Sequence, residues 1–543
     1  MGMEKVNPRR VLARNTAPVW PVDLGDGWYR NPILYADYSD PDVIAVGNDF
    51  YMTASSFNSL PGLPILHSKD LVHWTLIGHA AQTLPFGYDK VRHGDGIWAP
   101  SIRYHDGKFW IFVSMPDEGI FMTTAEDPAG PWTPLHLVKE VKGWIDPCPL
   151  WDDDGQAYLV HAFARSRCGI KHRLQICRMK PDGTALLDEG RIIFHDEENH
   201  PTMEGPKFYK RNGYYYIFAP AGGVATGWQT VLRSRNVFGP YEVRTVLHQG
   251  RTDVNGPHQG GYVELESGES WFIHFQDRDA YGRIVHLQPM AWVDDWPVMG
   301  TAVLEGVGIG EPVSIWRKPK VHSAAAVDPN TEPPTSDEFD GESLGLQWQW
   351  QANPRPEWYS LQDRPGHLRL FAQPYPEGVD TLYGAPHLLC QKFPAPEFSA
   401  MAGLDFHPSG QDEQAGLAVF GHEYHYIALR SRPEGVRLVA VRGDGAGEKA
   451  KEEVLAELPL NTNKVVFRVS VVREAVCAFS YSTDMETFHA IGEPFRAVPG
   501  GWVGAKLGLF ASRLGVQSSA GGHVDIDWFR VTSSLQWPKM VIS

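Results

Sequence analysis

The N-terminal part of the chain repeats one pattern of apolar and polar positions. An apolar strand leads into a turn that joins Gly to Asn, Asp or Ser, and an aromatic-rich strand follows. The copies begin at Asp40, Ile97, Asp146, Glu204 and His258, and the fourth reads EGPKFYKRNGYYYIFAPAGG. Each copy predicts a β-hairpin, because the turn residues tolerate positive φ and the flanking aromatic and β-branched residues favour strands.

The spacing of the copies predicts how the hairpins assemble. They begin about 50–60 residues apart, which is long enough for a four-stranded sheet and close to the repeat length of β-propellers. Five copies therefore predict a five-bladed β-propeller over residues 28–318, preceded by an N-terminal arm at residues 1–27. Five unrelated hairpins in another β protein are the alternative.

A second domain is predicted after the propeller. Residues 319–336 are rich in Pro, Ala and polar residues, which cannot bury a core, so they are interpreted as a linker. Residues 337–543 contain alternating segments such as HLRLFAQ, VRLVAVRG and KVVFRVSVV, separated by frequent turns. This pattern is typical of a β-sandwich, so the predicted fold class is all-β.

Composition narrows the function classes. Asp and Glu number 65 against 49 Lys and Arg, which gives a net charge of −16 and argues against nucleic acids and anionic membranes as partners. The five cysteines form no CxxC pair, so neither a disulfide framework nor a zinc site is predicted from them. Reduced thiols and an N-terminus without an export signal lead us to expect a cytoplasmic protein.

The first residues of the five repeats suggest a catalytic site. Inner strands of a propeller begin near its axis, where side chains of different blades converge. The residues at these positions are Asp40, Trp98, Asp146, Glu204 and His258. Three acids, a Trp and a His are an unusual choice for a protein core, because burying an unpaired carboxylate costs free energy. They suit a glycosidase, which needs one carboxylate to activate water, another to protonate the leaving oxygen, and an aromatic face for the sugar.

A structural alternative exists for each acid taken alone. Asp40 and Asp146 each precede a Pro and could cap turns, and Glu204 could lie in a surface bend before Gly-Pro. Three acids at matching repeat positions favour the active site over three independent turns.

Six segments carry a resemblance to a known family. They are NPILYADYSDPDVI, SFNSLPGLPILHSKDLVHW, GIWAPSI, DPCPLWDDDGQAYL, PTMEGPKFYKRNGYYYIFAPAGG and GRIVHLQPMAWVDDWP. On these segments the chain resembles glycoside hydrolase family 43, specifically its two-domain β-xylosidase/α-L-arabinofuranosidase group. The resemblance implies an exo-acting, inverting hydrolase that releases terminal xylose and/or arabinofuranose from hemicellulose-derived oligosaccharides. It also implies a five-bladed propeller followed by a sandwich of the concanavalin-like jelly-roll type.

The resemblance implies roles for particular residues. Asp40 in SDPDV matches the general base, Glu204 in MEGP the general acid, and Asp146 in IDPC the acid that tunes and orients it. Four further residues match positions that contact the substrate: Phe57 and Trp98 as pocket aromatics, Arg283 as a hydroxyl-binding cation, and Trp502 of the sandwich as an aromatic that closes the site.

His258 in GPHQGG matches the histidine at the propeller centre, where some relatives hold calcium and others water. Two roles therefore stay open for His258: it contacts a Ca²⁺ ion through water, or it is a neutral imidazole in the core. The implied partners are xylo-oligosaccharides or arabinosyl-substituted oligosaccharides, and a homo-oligomer is left open.

Two other functions are compatible with a propeller. A β-fructosidase of the invertase type would carry an NDPNG-like first motif, whereas this chain has SDPDV. A non-catalytic carbohydrate-binding propeller would keep the aromatics and lose the acids, whereas all three acids are present here.

Overall fold

The computed structural model describes residues 17–305, 308–321, 327–445, 450–514 and 521–533. The chain divides into two compact units, one spanning Val22–Val327 and the other combining Asp328–Ser543 with Met1–Pro21. Residues 1–16 of the predicted arm, 322–326 of the predicted linker and 534–543 of the predicted sandwich lie outside the described residues. In the described segments, no helix is long and apolar enough to cross a membrane.

The first unit is a five-bladed β-propeller, which confirms the predicted fold. It opens with β1 (Asp23–Gly25) and β2 (Trp28–Arg30), and β2 pairs with the last strand of the unit, β23 (Ile315–Arg317). Between them lie five four-stranded antiparallel sheets in chain order: β3 (Asp42–Val46), β4 (Asp49–Thr53), β5 (Gly62–Ser68), β6 (Thr75–Ala81); β7 (Trp98–His105), β8 (Lys108–Met115), β9 (Gly119–Ala125), β10 (His136–Glu140); β11 (Trp144–Trp151), β12 (Ala157–Phe163), β13 (Arg173–Met179), β14 (Arg191–His195); β15 (Lys207–Arg211), β16 (Tyr214–Ala221), β17 (Trp228–Ser234), β18 (Glu242–Leu247); β19 (His258–Glu264), β20 (Ser270–Asp277), β21 (Arg283–Val293) and β22 (Trp296–Met299).

The helical content of this unit is small. Among its described residues it comprises α1 (Arg165–Cys168), α2 (Ala302–Glu305) and a 3₁₀ turn at Asp279–Tyr281. The hairpin turns instead follow the sequence pattern closely. Asp106-Gly107 and Asn212-Gly213 all have positive φ, which is the conformation of the tight turns whose twist matches antiparallel strands.

One left-handed residue lies at the start of each inner strand. These residues are Asp40 (φ 54°), Ala99 (33°), Asp146 (58°), Gly205 (60°) and Gln259 (43°). Four of the five are not glycine, and left-handed residues of that kind are uncommon and concentrate at functional sites. The repeat pattern predicts that the first residues of the five repeats are equivalent, and the backbone corrects this prediction. Asp40 and Asp146 occupy the left-handed position, whereas Trp98, Glu204 and His258 directly precede it.

The second unit is a β-sandwich of two large antiparallel sheets. One sheet orders its strands as β24 (Gln349–Trp350), β28 (Leu389–Lys392), β38 (Lys506–Arg513), β30 (Glu413–Phe420), β31 (Glu423–Arg432), β32 (Gly435–Asp444) and β33 (Lys451–Pro459), with β27 (Gln373–Pro374) beside β38. The other orders them as β25 (Tyr359–Ser360), β26 (Leu368–Phe371), β39 (His523–Ser533), β29 (Phe398–His407), β34 (Lys464–Val472), β35 (Val476–Ser482) and β36 (His489–Ala490), with β37 (Phe495–Arg496) beside β35. Three 3₁₀ turns lie at Pro356–Trp358, Leu382–Gly384 and Arg473–Ala475.

Three buried histidines make the propeller sensitive to acid. Burial lowers the pKa of His161 and His274 to about 4, and burial together with the charge of His274 holds the pKa of His286 well below its usual range. Between pH 4 and 6.5 the unfolded chain therefore binds more protons at these residues than the folded chain does. Their contribution to stability is complete above pH 6.5 and is lost as the pH falls towards 4.

We therefore expect the urea midpoint to fall between pH 7 and pH 5. Asp146 and Glu332, whose pKa values burial raises to about 7, act in the opposite direction, while His387 of the sandwich, whose pKa burial lowers to about 3, acts with the three histidines. Each net proton changes the free energy of unfolding by ~1.4 kcal/mol per pH unit. Urea titrations at several pH values measure this slope, and a midpoint that is level or rises towards pH 5 would contradict the assignment.

Candidate active site

Asp40 is held by donors from two blades. It lies just before β3 and is 6% exposed. Its Oδ2 accepts hydrogen bonds from Ser39 Oγ (2.9 Å) and Ser55 Oγ (2.6 Å), and its Oδ1 accepts one from Arg283 Nη1 (2.9 Å). Both carboxylate oxygens are therefore oriented by fixed partners, which is the preorganisation that a catalytic group requires.

Arg283 joins the last blade to the first. It begins β21, and besides Asp40 its Nη1 donates to Ser39 Oγ at 2.7 Å, while its backbone N–H donates to Asp37 Oδ1 at 3.0 Å. Its guanidinium carbon lies 4.8 Å from the centroid of the Phe275 ring. The structure thus places Arg283 beside the predicted base, and its predicted contact with a substrate hydroxyl stays a prediction.

Phe57 and Trp98 pack against each other, two residues and one residue away in sequence from groups that connect to Asp40. Their ring centroids are 6.2 Å apart with an interplanar angle of 65°, an edge-to-face pair. The backbone of Phe57 exchanges two hydrogen bonds of 3.0 Å with Ile97, and Ser55 Oγ, which donates to Asp40, accepts one from Ala99 N at 2.7 Å. The backbone around the two aromatics is thus joined to Ser55, a partner of Asp40, and the role of the two rings in binding sugar stays a prediction.

Of the two candidate acids with shifted pKa values, Asp146 and Glu204, Asp146 holds a proton more strongly. It is 4% exposed, and its Oδ2 accepts a hydrogen bond of 2.7 Å from the backbone N–H of Gly205. Burial, followed by the negative charges of Glu204 and Asp40, raises the pKa of Asp146 to about 7. The influence of both other acids shows that three blades bring their carboxylates into one electrostatic environment.

Glu204 is shifted in the opposite direction. Its Oε1 lies 3.3 Å from His258 Nε2, and its Oε2 accepts a hydrogen bond of 3.1 Å from Lys171 Nζ. Burial raises the pKa of Glu204, but the hydrogen bonds and charges of His258 and Lys171 outweigh burial and lower it to about 2. Below about pH 7 these opposite shifts favour the proton on Asp146 and the negative charge on Glu204, and the two acids titrate as a coupled pair.

The surroundings of His258 do not fit a calcium ion held directly by the protein. His258 is fully buried, and its Nδ1 has no hydrogen-bond partner among the described residues. Calcium requires six to eight oxygen ligands. Within the described segments, no group of three or more His, Cys, Asp or Glu residues at metal-binding distances includes His258. The unpartnered nitrogen suits a water molecule, so any calcium here would be reached through water.

A second polar layer lies deeper in the inner strands. Asp42 Oδ2 pairs with Arg103 Nη1 at 2.7 Å, and Arg103 Nη2 also lies 2.8 Å from Cys148 Sγ. In the same layer Lys207 Nζ donates to Pro100 O at 2.8 Å and to Ser101 Oγ at 2.9 Å. These bonds tie the first four blades together behind the acids, and the positive charge of Lys207 partly counters the rise in the pKa of Asp146.

Sequence reasoning missed several of these residues. Lys171 lies between α1 and β13, outside the repeated pattern, so nothing in the spacing pointed to it. The positions of Asp42 and Lys207 do follow the repeat, because each residue lies two positions after the left-handed residue of its blade. That pattern becomes visible only when the repeats are aligned on the backbone.

Trp502 belongs to the sandwich unit. It lies between β37 and β38, has a positive φ of 65° and is 55% exposed. An exposed aromatic face is compatible with sugar stacking. Its predicted part in closing the active site stays a prediction.

Comparison with known proteins assigns the family. Residues 29–297 match the model of glycosyl hydrolases family 43, and residues 336–532 match the β-xylosidase C-terminal concanavalin A-like domain. A candidate β-xylosidase of Xylanibacter ruminicola is 41% identical over 91% of this chain and 88% of its own length. The non-reducing end α-L-arabinofuranosidase BoGH43B of Bacteroides ovatus is 30% identical over 94% of this chain and 95% of its own length.

A solved structure supports the same assignment across both units. The GH43 protein BlXynB of Bacillus licheniformis superimposes with a TM-score of 0.80 at 27% identity, covering 93% of this chain and all of that one. Together with the two family models and the identity to full-length relatives, this leaves one conclusion. The chain belongs to family 43 of the glycosyl hydrolases.

Proposed function

We propose that the protein is an exo-acting, inverting glycoside hydrolase that releases terminal xylose or arabinofuranose from hemicellulose-derived oligosaccharides. The observation that carries the proposal is the triad of Asp40, Asp146 and Glu204 at the heads of three blades, in which the pKa values of Asp146 and Glu204 are shifted in opposite directions. The names of the relatives, a candidate β-xylosidase and an α-L-arabinofuranosidase, supply the sugar classes.

In the proposed mechanism, each acid has one task. Asp40, fixed by Ser39, Ser55 and Arg283, accepts a proton from the attacking water. Glu204, more exposed than Asp146, reaches the glycosidic oxygen and donates the proton that the pair shares. Asp146 remains buried against Gly205 and sets how tightly that proton is held.

The shared proton leads to a prediction for Asp146→Asn. The variant can hold no proton at this position, so Glu204 alone must carry the donated proton, while Lys171 and His258 favour its ionised form. We expect the basic limb of the kcat/KM profile, near pH 7 in the native enzyme, to move to lower pH by at least about one unit. Initial rates across the pH range measure this shift, and an unmoved limb would refute the coupling between the two acids.

The function itself is tested with a panel of substrates. Nitrophenyl β-xyloside and α-L-arabinofuranoside, followed by xylo-oligosaccharides, should yield single pentoses from non-reducing ends, with the first-formed anomer inverted in proton NMR. Release of fructose from sucrose with retention would favour the β-fructosidase alternative. Binding without turnover on every substrate would favour a carbohydrate-binding propeller.

We further propose that calcium, which some members of this family bind, would interact with His258 only through water. The support is the buried, unpartnered Nδ1 and the absence, among the described residues, of a group of three or more His, Cys, Asp or Glu residues that includes His258. Added Ca²⁺ should then raise the Tm of EDTA-treated protein by stabilising the folded state, and the rise should disappear in His258→Phe. An equal rise in both proteins would place any calcium elsewhere.

A further inference from the structure

Four ligating side chains form a square on one face of the sandwich. In the register of β29 and β39, His407 lies directly opposite His523, and Asp405 lies directly opposite Asp525. Residues two apart in a strand point to the same side of a sheet, so all four side chains share one face. The intervening Phe406 and Val524 are fully buried, which places the square on the face away from the apolar core.

Three of these side chains converge on a small volume. His407 Nε2 lies 4.0 Å and His523 Nε2 lies 3.8 Å from the same oxygen, Asp525 Oδ2. The two imidazole rings are stacked with centroids 4.9 Å apart, and one ligating atom from each of the three residues lies within 4.8 Å of the others. Among the described residues this is the only such group of three or more His, Cys, Asp or Glu residues.

The donor set matches one class of ion. Two imidazole nitrogens and one carboxylate oxygen are ligands that zinc and related divalent transition metals accept, with a fourth position left for water. Metal–ligand bonds of about 2.0–2.1 Å require tetrahedral ligand atoms to be about 3.4 Å apart. His407 and His523 are partly exposed, so side-chain rotation can close the remaining gap without moving the strands.

Two arginines oppose a cation at this position and limit its affinity. Arg369 donates to both oxygens of Asp525 at 2.7 and 3.0 Å, and Arg364 Nη1 bridges Asp525 Oδ2 and Asp405 Oδ2 at 3.0 and 3.1 Å. The side chain of Arg364 is partly exposed, more so than that of Arg369, so it can turn towards solvent while Arg369 continues to orient the carboxylate. Orientation of a ligating carboxylate by a neighbouring donor is common at metal sites.

We propose that His407, His523 and Asp525 bind a divalent transition-metal ion such as Zn²⁺ on the outer face of the sandwich. The ion would connect the end of β29 to the start of β39. The proposal does not depend on the catalytic function, because all three ligands belong to the sandwich unit. It also differs from the calcium question at His258, which concerns an oxygen-seeking ion in the propeller.

The test uses Zn²⁺ alone with the full-length protein after EDTA treatment and dialysis. Isothermal titration should show one equivalent of Zn²⁺ that binds at least about tenfold more weakly in His407→Ala and in His523→Ala. Zn²⁺ should also raise the Tm of the native protein and leave that of the double variant unchanged. His489→Ala, which removes another exposed histidine of the same sheet, should behave as the native protein.

The test uses the two histidines and not Asp525, because Asp525→Asn would also disturb the contacts of Arg364 and Arg369. Each variant must first show a native Tm without metal, which both partly exposed side chains allow. Equal stoichiometry and affinity in the native protein and the double variant would overturn the proposal. Loss of the same equivalent in His489→Ala would overturn it as well, since binding would then reflect surface histidines in general.

Discussion

Glu204→Gln is expected to lower kcat on xylo-oligosaccharides by about 10²–10⁴-fold while reducing hydrolysis of a nitrophenyl glycoside far less. A sugar leaving group needs a proton from the enzyme, whereas nitrophenolate departs without one. Asp40→Asn should lower both rates alike, because activation of water is required whatever the leaving group. The ratio of the two rates therefore separates the acid from the base, and initial-rate kinetics on matched substrates measures it.

A control is needed for the loss of one carboxylate. Glu264→Gln removes an acid at the end of β19 that pairs with Arg211 at 3.1 Å, outside the candidate site. It should retain native rates on both substrates. If Glu204→Gln impaired both substrates equally, Glu204 would not be the proton donor, and Asp146 would become the candidate for that task.

The architecture could be predicted because every blade repeats the same local code. Asp106-Gly107 and Asn212-Gly213 specify tight turns through their own backbone preferences, without help from distant residues. Apolar, β-branched and aromatic residues on both sides of these turns then favour strands. Local rules therefore sufficed for the five blades and for the sandwich that follows them.

The site was predictable only in part. Asp40, Asp146 and Glu204 could be found because they recur at the head of a repeat, but the one-residue offset between Asp146 and Glu204 depends on a backbone kink that the sequence pattern does not display. That offset allows the N–H of Gly205 to reach Asp146. Lys171 could not be found, because a long-range contact from an irregular segment leaves no periodic signal.

The contact between Lys171 and Glu204 gives the second large prediction, in which Lys171→Met moves the basic limb of the pH profile upward. A positive charge 3.1 Å from Glu204 Oε2 favours the ionised carboxylate, so its removal raises the pKa at which the acid pair loses its last proton. We expect a shift of about one pH unit above the native limb near 7, and a higher kcat/KM than the native enzyme at pH 8. This is opposite in sign to the shift expected for Asp146→Asn.

The charge and the side chain of Lys171 can be separated by two further variants. Lys171→Arg keeps the charge and should keep the native limb. Lys210→Met removes a lysine that pairs with Asp152 and Asp153, outside the candidate site, and should also leave the limb in place. A purely structural lysine would lower activity equally at every pH and leave the limb in place. A limb that moves downward in Lys171→Met would mean that Lys171 helps to retain the proton, and the proposed coupling would then have the wrong sign.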